Sequence, residues 1–112
     1  MLARFLARWL RPRAPVELRL YTKPGCPLCD EVKAELARVR VRPPFRLLEI
    51  DIERVPELLL RHGRSIPVLE IAGRTAFKGR FSTAEFERKY ARRVAELGAG
   101  VVARADGGPG HA

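Results

Sequence analysis

The two cysteines of the chain, Cys26 and Cys29, stand three positions apart in Lys23-Pro24-Gly25-Cys26-Pro27-Leu28-Cys29. A bridge between them closes almost no loop, so the pair is placed for chemistry rather than for stapling the fold. The chemistry available is thiol–disulfide exchange, in which a thiolate attacks a disulfide sulfur. A helix beginning at Pro27 sets this up. The free N–H groups and partial positive charge of a helix N-terminus stabilise a thiolate at the position before it, which is Cys26. Pro27 falls at the first helical position, where a missing N–H costs nothing. Lys23 adds a positive charge nearby. Cys29 lies one turn further in, where burial keeps it less ionised and suits it to resolving a mixed disulfide. Cys26 would attack, the target would become linked to it, and Cys29 would displace the target. The resulting Cys26–Cys29 disulfide then requires reduction by a second thiol.

A second candidate is Ser65-Ile66-Pro67. A proline at the entry to a strand is uncommon. A cis Ile66–Pro67 bond would be a fixed feature of the bend, leaving the Ile66 backbone free to pair with an extended substrate. An ordinary trans proline at a strand entry satisfies the residues equally. Zinc needs two ligands beyond the cysteines. His62 and His111, the two histidines, lack zinc-site spacing, so no metal is expected. His62 reads as an exposed residue near a helix end and His111 as part of the tail.

These groups need elements to position them. Residues 16–22 alternate apolar and polar and predict a strand, broken by Lys23-Pro24-Gly25. Residues 27–41 predict a helix with Leu28, Val32, Leu36 and Val39 as its stripe. A second strand is expected at 45–50, after Pro43-Pro44. Asp51 and Glu53 offer acceptors for a following helix, with Pro56 in its first turn and Gly63 at its end. A strand at 66–71, a turn at 72–74 and a strand at 75–78 predict a hairpin. Ser82-Thr83-Ala84-Glu85 is a capping box that opens a helix carrying Phe86, Tyr90, Val94 and Leu97 on one face. The order β-α-β-α-β-β-α allows a parallel βαβ unit followed by a hairpin closed by the last helix. Upstream, Leu2, Phe5, Leu6, Trp9 and Leu10 keep a helical period, interleaved with Arg4, Arg8 and Arg11. Residues 1–15 are therefore expected to be a basic amphipathic extension, 16–97 the domain, and 98–112 a frayed tail.

With 112 residues, 46% of them hydrophobic, the chain supports one modest core. The net charge of +9 comes from 22 basic residues, largely arginine. It favours anionic partners such as acidic peptides or glutathione. Nucleic acid is not expected, because the few aromatics do not interleave with the basic residues as a stacking surface would require. No stretch approaches the ~20 apolar residues of a membrane span. Arginines interrupt any signal-like run near the start, so a cytoplasmic location is expected. The basic segment 1–11 allows contact with an anionic membrane surface.

The sequence resembles the glutaredoxin-like branch of the thioredoxin superfamily. The residues that carry this are Leu20 through Cys29, then Ser65-Ile66-Pro67-Val68-Leu69, Gly73 in the turn and Gly79 after the last strand. The resemblance spans about residues 16–97. It implies a thioredoxin-like fold, an α/β domain with a mixed four-stranded sheet flanked by helices, here with an extra N-terminal amphipathic helix. It implies that Cys26 is the nucleophile, Cys29 the resolving thiol and Pro67 a cis-proline facing them, with Ile66 pairing to the substrate. Lys23 matches the basic residue that contacts a glutathione carboxylate. The region Lys78-Gly79-Arg80-Phe81-Ser82-Thr83 departs from the family pattern. It has one glycine instead of a pair and no aspartate, although Ser82 and Thr83 can still cap an anion at a helix start.

The function expected is a monomeric oxidoreductase that reduces protein or glutathione mixed disulfides. It would hold no bound cofactor and draw on glutathione or another thiol, with its reductase unspecified. Two alternatives are an Fe–S or metal-binding module using Cys26 from two subunits, and a non-catalytic interaction module docked by the N-terminal helix.

Overall fold

A computed structural model describes the backbone of residues 15–107 and side chains as far as residue 98. The expected N-terminal helix and His111 lie outside the described residues. Strand β1 (Val16–Thr22) leads through a turn into helix α1 (Pro27–Leu36), which crosses to β2 (Phe45–Asp51). A 3-10 turn (Ile52–Arg54) and helix α2 (Pro56–His62) follow, then β3 (Val68–Ile71), β4 (Arg74–Lys78) and helix α3 (Thr83–Gly107).

The sheet order is β2-β1-β3-β4. β1 is parallel to β2, in register from Val16↔Phe45 to Thr22↔Asp51, and antiparallel to β3, with Tyr21 opposite Val68. β3 and β4 form the hairpin, closed by Ala72 and Gly73 at φ 50° and 85°. Such a two-residue turn needs positive φ at both central positions, which glycine adopts without strain.

The alternation of β1 sends Val16, Leu18 and Leu20 to one face of the sheet, where they meet Val32 and Leu36 of α1, Leu69 and Ile71 of β3, and Phe86 and Tyr90 of α3. Burying one such side chain stabilises the fold by about 1.5–3 kcal/mol, so this cluster fixes α1 against the sheet. The opposite face carries a smaller cluster of Tyr21, Ile52 and Val68, packed by Ile50, Leu58 and Ile66. α3 begins with the expected reciprocal cap: Glu85 N–H donates to Ser82 Oγ (3.0 Å) and Ser82 N–H to Glu85 Oε1 (2.8 Å). Among the described residues no helix is long and apolar enough to cross a membrane.

Four boundaries differ from the sequence-based reading. α1 stops at Leu36 instead of 41. Arg40 gives its N–H to the Glu87 carboxylate of α3 (2.9 Å), and the Pro43 carbonyl accepts from Tyr90 Oη (2.6 Å), so 38–44 lies along α3 as a loop. The single helix expected after β2 is divided into the 3-10 turn, capped by Asp51 Oδ1 on Glu53 N–H, and α2. β3 starts at Val68 instead of 66, because Pro67 has no N–H and the Ile66 N–H is bound to the His62 carbonyl. The backbone of 98–107, expected as tail, continues α3. The alanine, valine and arginine in that stretch are compatible with a helix, and its glycines weaken it without breaking it.

Candidate active site

The parallel β1–β2 pair and its α1 crossover place the start of α1 at the C-terminal end of β1. The turn that delivers it contains Gly25 at φ 75°, a conformation L side chains rarely adopt. Cys26 follows as the N-cap of α1, in extended conformation, with Pro27 at the first helical position. Its Sγ accepts the N–H of Cys29 at 3.2 Å, and its carbonyl accepts the N–H of Asp30 at 3.2 Å. The two cysteines are joined by a disulfide with Cα atoms 5.2 Å apart. Cys26 is 9% exposed and Cys29 1% exposed. The sulfur nearer the surface is thus the one that receives a backbone N–H. Lys23 is exposed on the turn before them.

The antiparallel β1–β3 pairing brings the Pro67 turn to the same end of the sheet, since Tyr21 pairs with Val68. The Ile66–Pro67 bond is cis and Pro67 is buried. The Pro67 carbonyl accepts the N–H of Gly79 at 2.8 Å, which draws the end of β4 to this edge as well. The expectation that both Ile66 backbone groups stand free needs correction. Its N–H is held by the His62 carbonyl at 3.1 Å, while its carbonyl takes no hydrogen bond from the described residues.

The segment from β4 to α3 is pinned onto α1. Arg80 Nε donates to Glu31 Oε1 at 3.0 Å, and the Thr83 hydroxyl donates to the Glu35 carboxylate. Glu31 and Glu35 lie one turn apart on α1. The Thr83 hydroxyl is thus spent on Glu35, whereas Ser82 Oγ only accepts the Glu85 N–H and keeps its own O–H as a donor. The sequence reading missed Glu31 and Glu35 because their partners are 49 and 48 residues away. It had Glu85 in hand as half of the capping box.

His62 is a further correction. It is 7% exposed, and its ring lies against Tyr21 with centroids 4.5 Å apart. Burial lowers its pKa and raises that of Tyr21. The signal that could have found it is its spacing: His62 is four residues after the inward Leu58 and shares its helix face. Elsewhere, a hydrogen bond from Lys33 to Glu49 raises the lysine pKa. Among the described residues, no three His, Cys, Asp or Glu side chains converge as metal ligands.

Residues 17–95 match the family described as Glutaredoxin-like domain (DUF836). The solution structure of desulfothioredoxin from Desulfovibrio vulgaris Hildenborough, in its reduced form, is similar at a TM-score of 0.52 and 27% sequence identity. The match covers 70% of this chain and 82% of that one. The mixed sheet, the flanking helices and a redox-capable cysteine pair at a helix start agree with both likenesses, and the chain belongs to the Glutaredoxin-like domain (DUF836) family.

Proposed function

We propose that the protein is a thiol–disulfide oxidoreductase in which Cys26 is the nucleophile and Cys29 the resolving thiol. The observation that carries this reading is the asymmetry of the pair: the Cys26 sulfur caps α1 and accepts the Cys29 N–H, while Cys29 is the more buried of the two. The Cys26 thiolate attacks one sulfur of a substrate disulfide. The Cys26–substrate bond forms as the substrate's S–S bond breaks, and the second substrate sulfur leaves as a thiolate that takes a proton from water. Cys29, deprotonated, attacks Cys26 Sγ and releases the first substrate sulfur. The substrate has gained two electrons and the protein holds the Cys26–Cys29 disulfide, which an external thiol reduces.

Substrate docking falls to the same edge. The open Ile66 carbonyl beside Pro67 accepts one backbone N–H of an extended substrate, a one-bond form of strand addition. Lys23 faces an anionic group such as a glutathione carboxylate. Ser82 contributes its hydroxyl proton and Thr83 its main-chain N–H, because only the Thr83 hydroxyl already donates to a carboxylate. Glutathione, or another thiol, serves as reductant.

The test is reduction of a glutathione mixed disulfide by wild type, Cys26→Ser and Cys29→Ser. It is run first with glutathione and glutathione reductase as the regenerating system, then with thioredoxin reductase. Turnover lost with Cys26→Ser establishes the oxidoreductase, and the regenerating system that works names its reductant. Absence of turnover with either, in folded and reduced protein, refutes the reading.

A further inference from the structure

Behind the Pro67 turn lies a titratable side chain that the exchange chemistry does not use. His62 is the last residue of α2, and its Nε2 is buried without a hydrogen-bond partner among the described residues. An unpaired buried polar atom is costly, because it has given up its hydrogen bonds to water. The ring accepts that cost in a place where it packs on Tyr21, beside the cluster of Ile52 and Val68 that Ile66 also joins. The main chain of the same residue holds the turn: the His62 carbonyl accepts Ser65 N–H at 2.8 Å and Ile66 N–H at 3.1 Å. One residue thus ties residues 63–67 to β1 by its ring and to α2 by its carbonyl.

The charged and titratable groups acting on the ring come from each element around it: Tyr21 of β1, Glu70 of β3, Lys78 of β4 and Arg61 of α2. Glu53 and Arg54 of the preceding 3-10 turn are exposed. Only Glu70 favours the imidazolium, against burial, Arg61 and Lys78. A protonated ring has no acceptor in the cluster and gains by leaving it for water.

We propose that His62 is a positioning residue: its neutral imidazole clamps the 63–67 turn in place, and protonation releases the turn and weakens docking of the disulfide substrate. The consequence for catalysis rests on the thiol–disulfide reading above, while the clamp itself is measurable without turnover. The sign follows from the direction of the shift. The buried ring titrates below the ordinary ~6.5, and a released ring titrates near it. The clamp is complete above ~6.5. As pH falls below that value, the ratio of closed to open turn drops, at most about tenfold per pH unit, until the pKa of the buried ring is passed.

The experiment is amide hydrogen exchange by NMR on the reduced full-length protein, from about pH 7.5 to about pH 5, across the range where histidine titrates. Wild type is compared with His62→Phe, which keeps an aromatic ring but cannot ionise, and with His62→Ala. The expected result is a fall in Ser65 and Ile66 protection below ~6.5 in wild type, at most about tenfold per pH unit. His62→Phe should hold its protection constant, and His62→Ala should lose it at every pH. At about pH 7.5 the KM for a protein disulfide should be higher in His62→Ala than in wild type, while the rate of Cys26 alkylation by a small reagent is the same in both. Constant protection in wild type or the same decline in His62→Phe overturns the clamp, and so does a KM indifferent to it. If exchange behaves as expected but no disulfide is reduced at any pH, the clamp stands and the oxidoreductase reading fails.

Discussion

Ionisation of Cys26 can be worked out from the geometry of α1. In the reduced protein the sulfur at the N-cap meets two stabilising influences. The Cys29 N–H, 3.2 Å from Cys26 Sγ in the disulfide form, becomes a hydrogen bond to a charged acceptor, worth about 1.5–3 kcal/mol. The helix N-terminus adds about 0.3–1 kcal/mol in an exposed setting and up to ~2 kcal/mol in a partly buried one. Both favour the thiolate, and burial of a residue only 9% exposed offsets part of their effect. We therefore expect Cys26 to titrate below the ~8.5 of a free thiol. Cys29, 1% exposed and without the cap position, should titrate above ~8.5. Thiolate absorbance followed through a pH titration of reduced Cys29→Ser reports Cys26, and that of reduced Cys26→Ser reports Cys29. Linkage supplies a second reading. A thiol whose folded pKa is depressed adds stability to the reduced protein that is fully present above ~8.5. This stability is lost as pH falls through the folded pKa, and the oxidised protein lacks it. A Cys26 pKa at or above ~8.5 would refute the helix-terminus argument, and a Cys29 more acidic than Cys26 would reverse the two roles.

Three other predictions concern the pair and its scaffold. Cys29→Ser should arrest exchange after the first step, so that a covalent Cys26–substrate disulfide accumulates and is seen by mass spectrometry; free release of substrate from this variant would remove Cys29 from the mechanism. Phe86 is fully buried against Phe45, Phe81 and Tyr90, so Phe86→Ala should lower unfolding free energy in urea by about 3–5 kcal/mol, and a loss below ~1 kcal/mol would contradict the packing described. Ser82→Ala removes one half of the α3 capping box; it should cost about 1 kcal/mol in the same assay and leave the Cys26 pKa unchanged, since that thiolate depends on α1.

What the sequence made legible was local. The N-cap role of Cys26, Pro27 at the first helical position and the Ser82–Glu85 box are decided within four residues of chain, and each appears where the residue types place it. The strands were legible because β1 alternates strictly and its neighbours are bounded by Pro and Gly. What was not legible depended on partners far along the chain. The end of α1 is set by Glu87 and Tyr90 on α3, each 47 residues from its partner in the 38–44 loop. Arg80, Thr83 and the acidic pair on α1 show no local mark of their pairing. In α2 the apolar residues mislead: Leu60 is 89% exposed while His62 is buried, because the helix turns Leu58 and His62 inward together.

The division has a consequence for how this site works. Thiolate stabilisation arises from a helix terminus, a short-range feature that six residues can specify, so the reactive centre is legible from the motif alone. In the proposed mechanism docking depends on the Ile66 carbonyl beside the Pro67 turn, and that turn is tied down by the His62 carbonyl and the Gly79 N–H from β4. Substitutions on α2 or at the end of β4 should therefore alter which disulfides are reduced while Cys26 keeps its reactivity. Substitutions in the first turn of α1 should change reactivity toward every disulfide alike. Reactivity and selectivity are carried by separate elements that meet at one edge of the sheet.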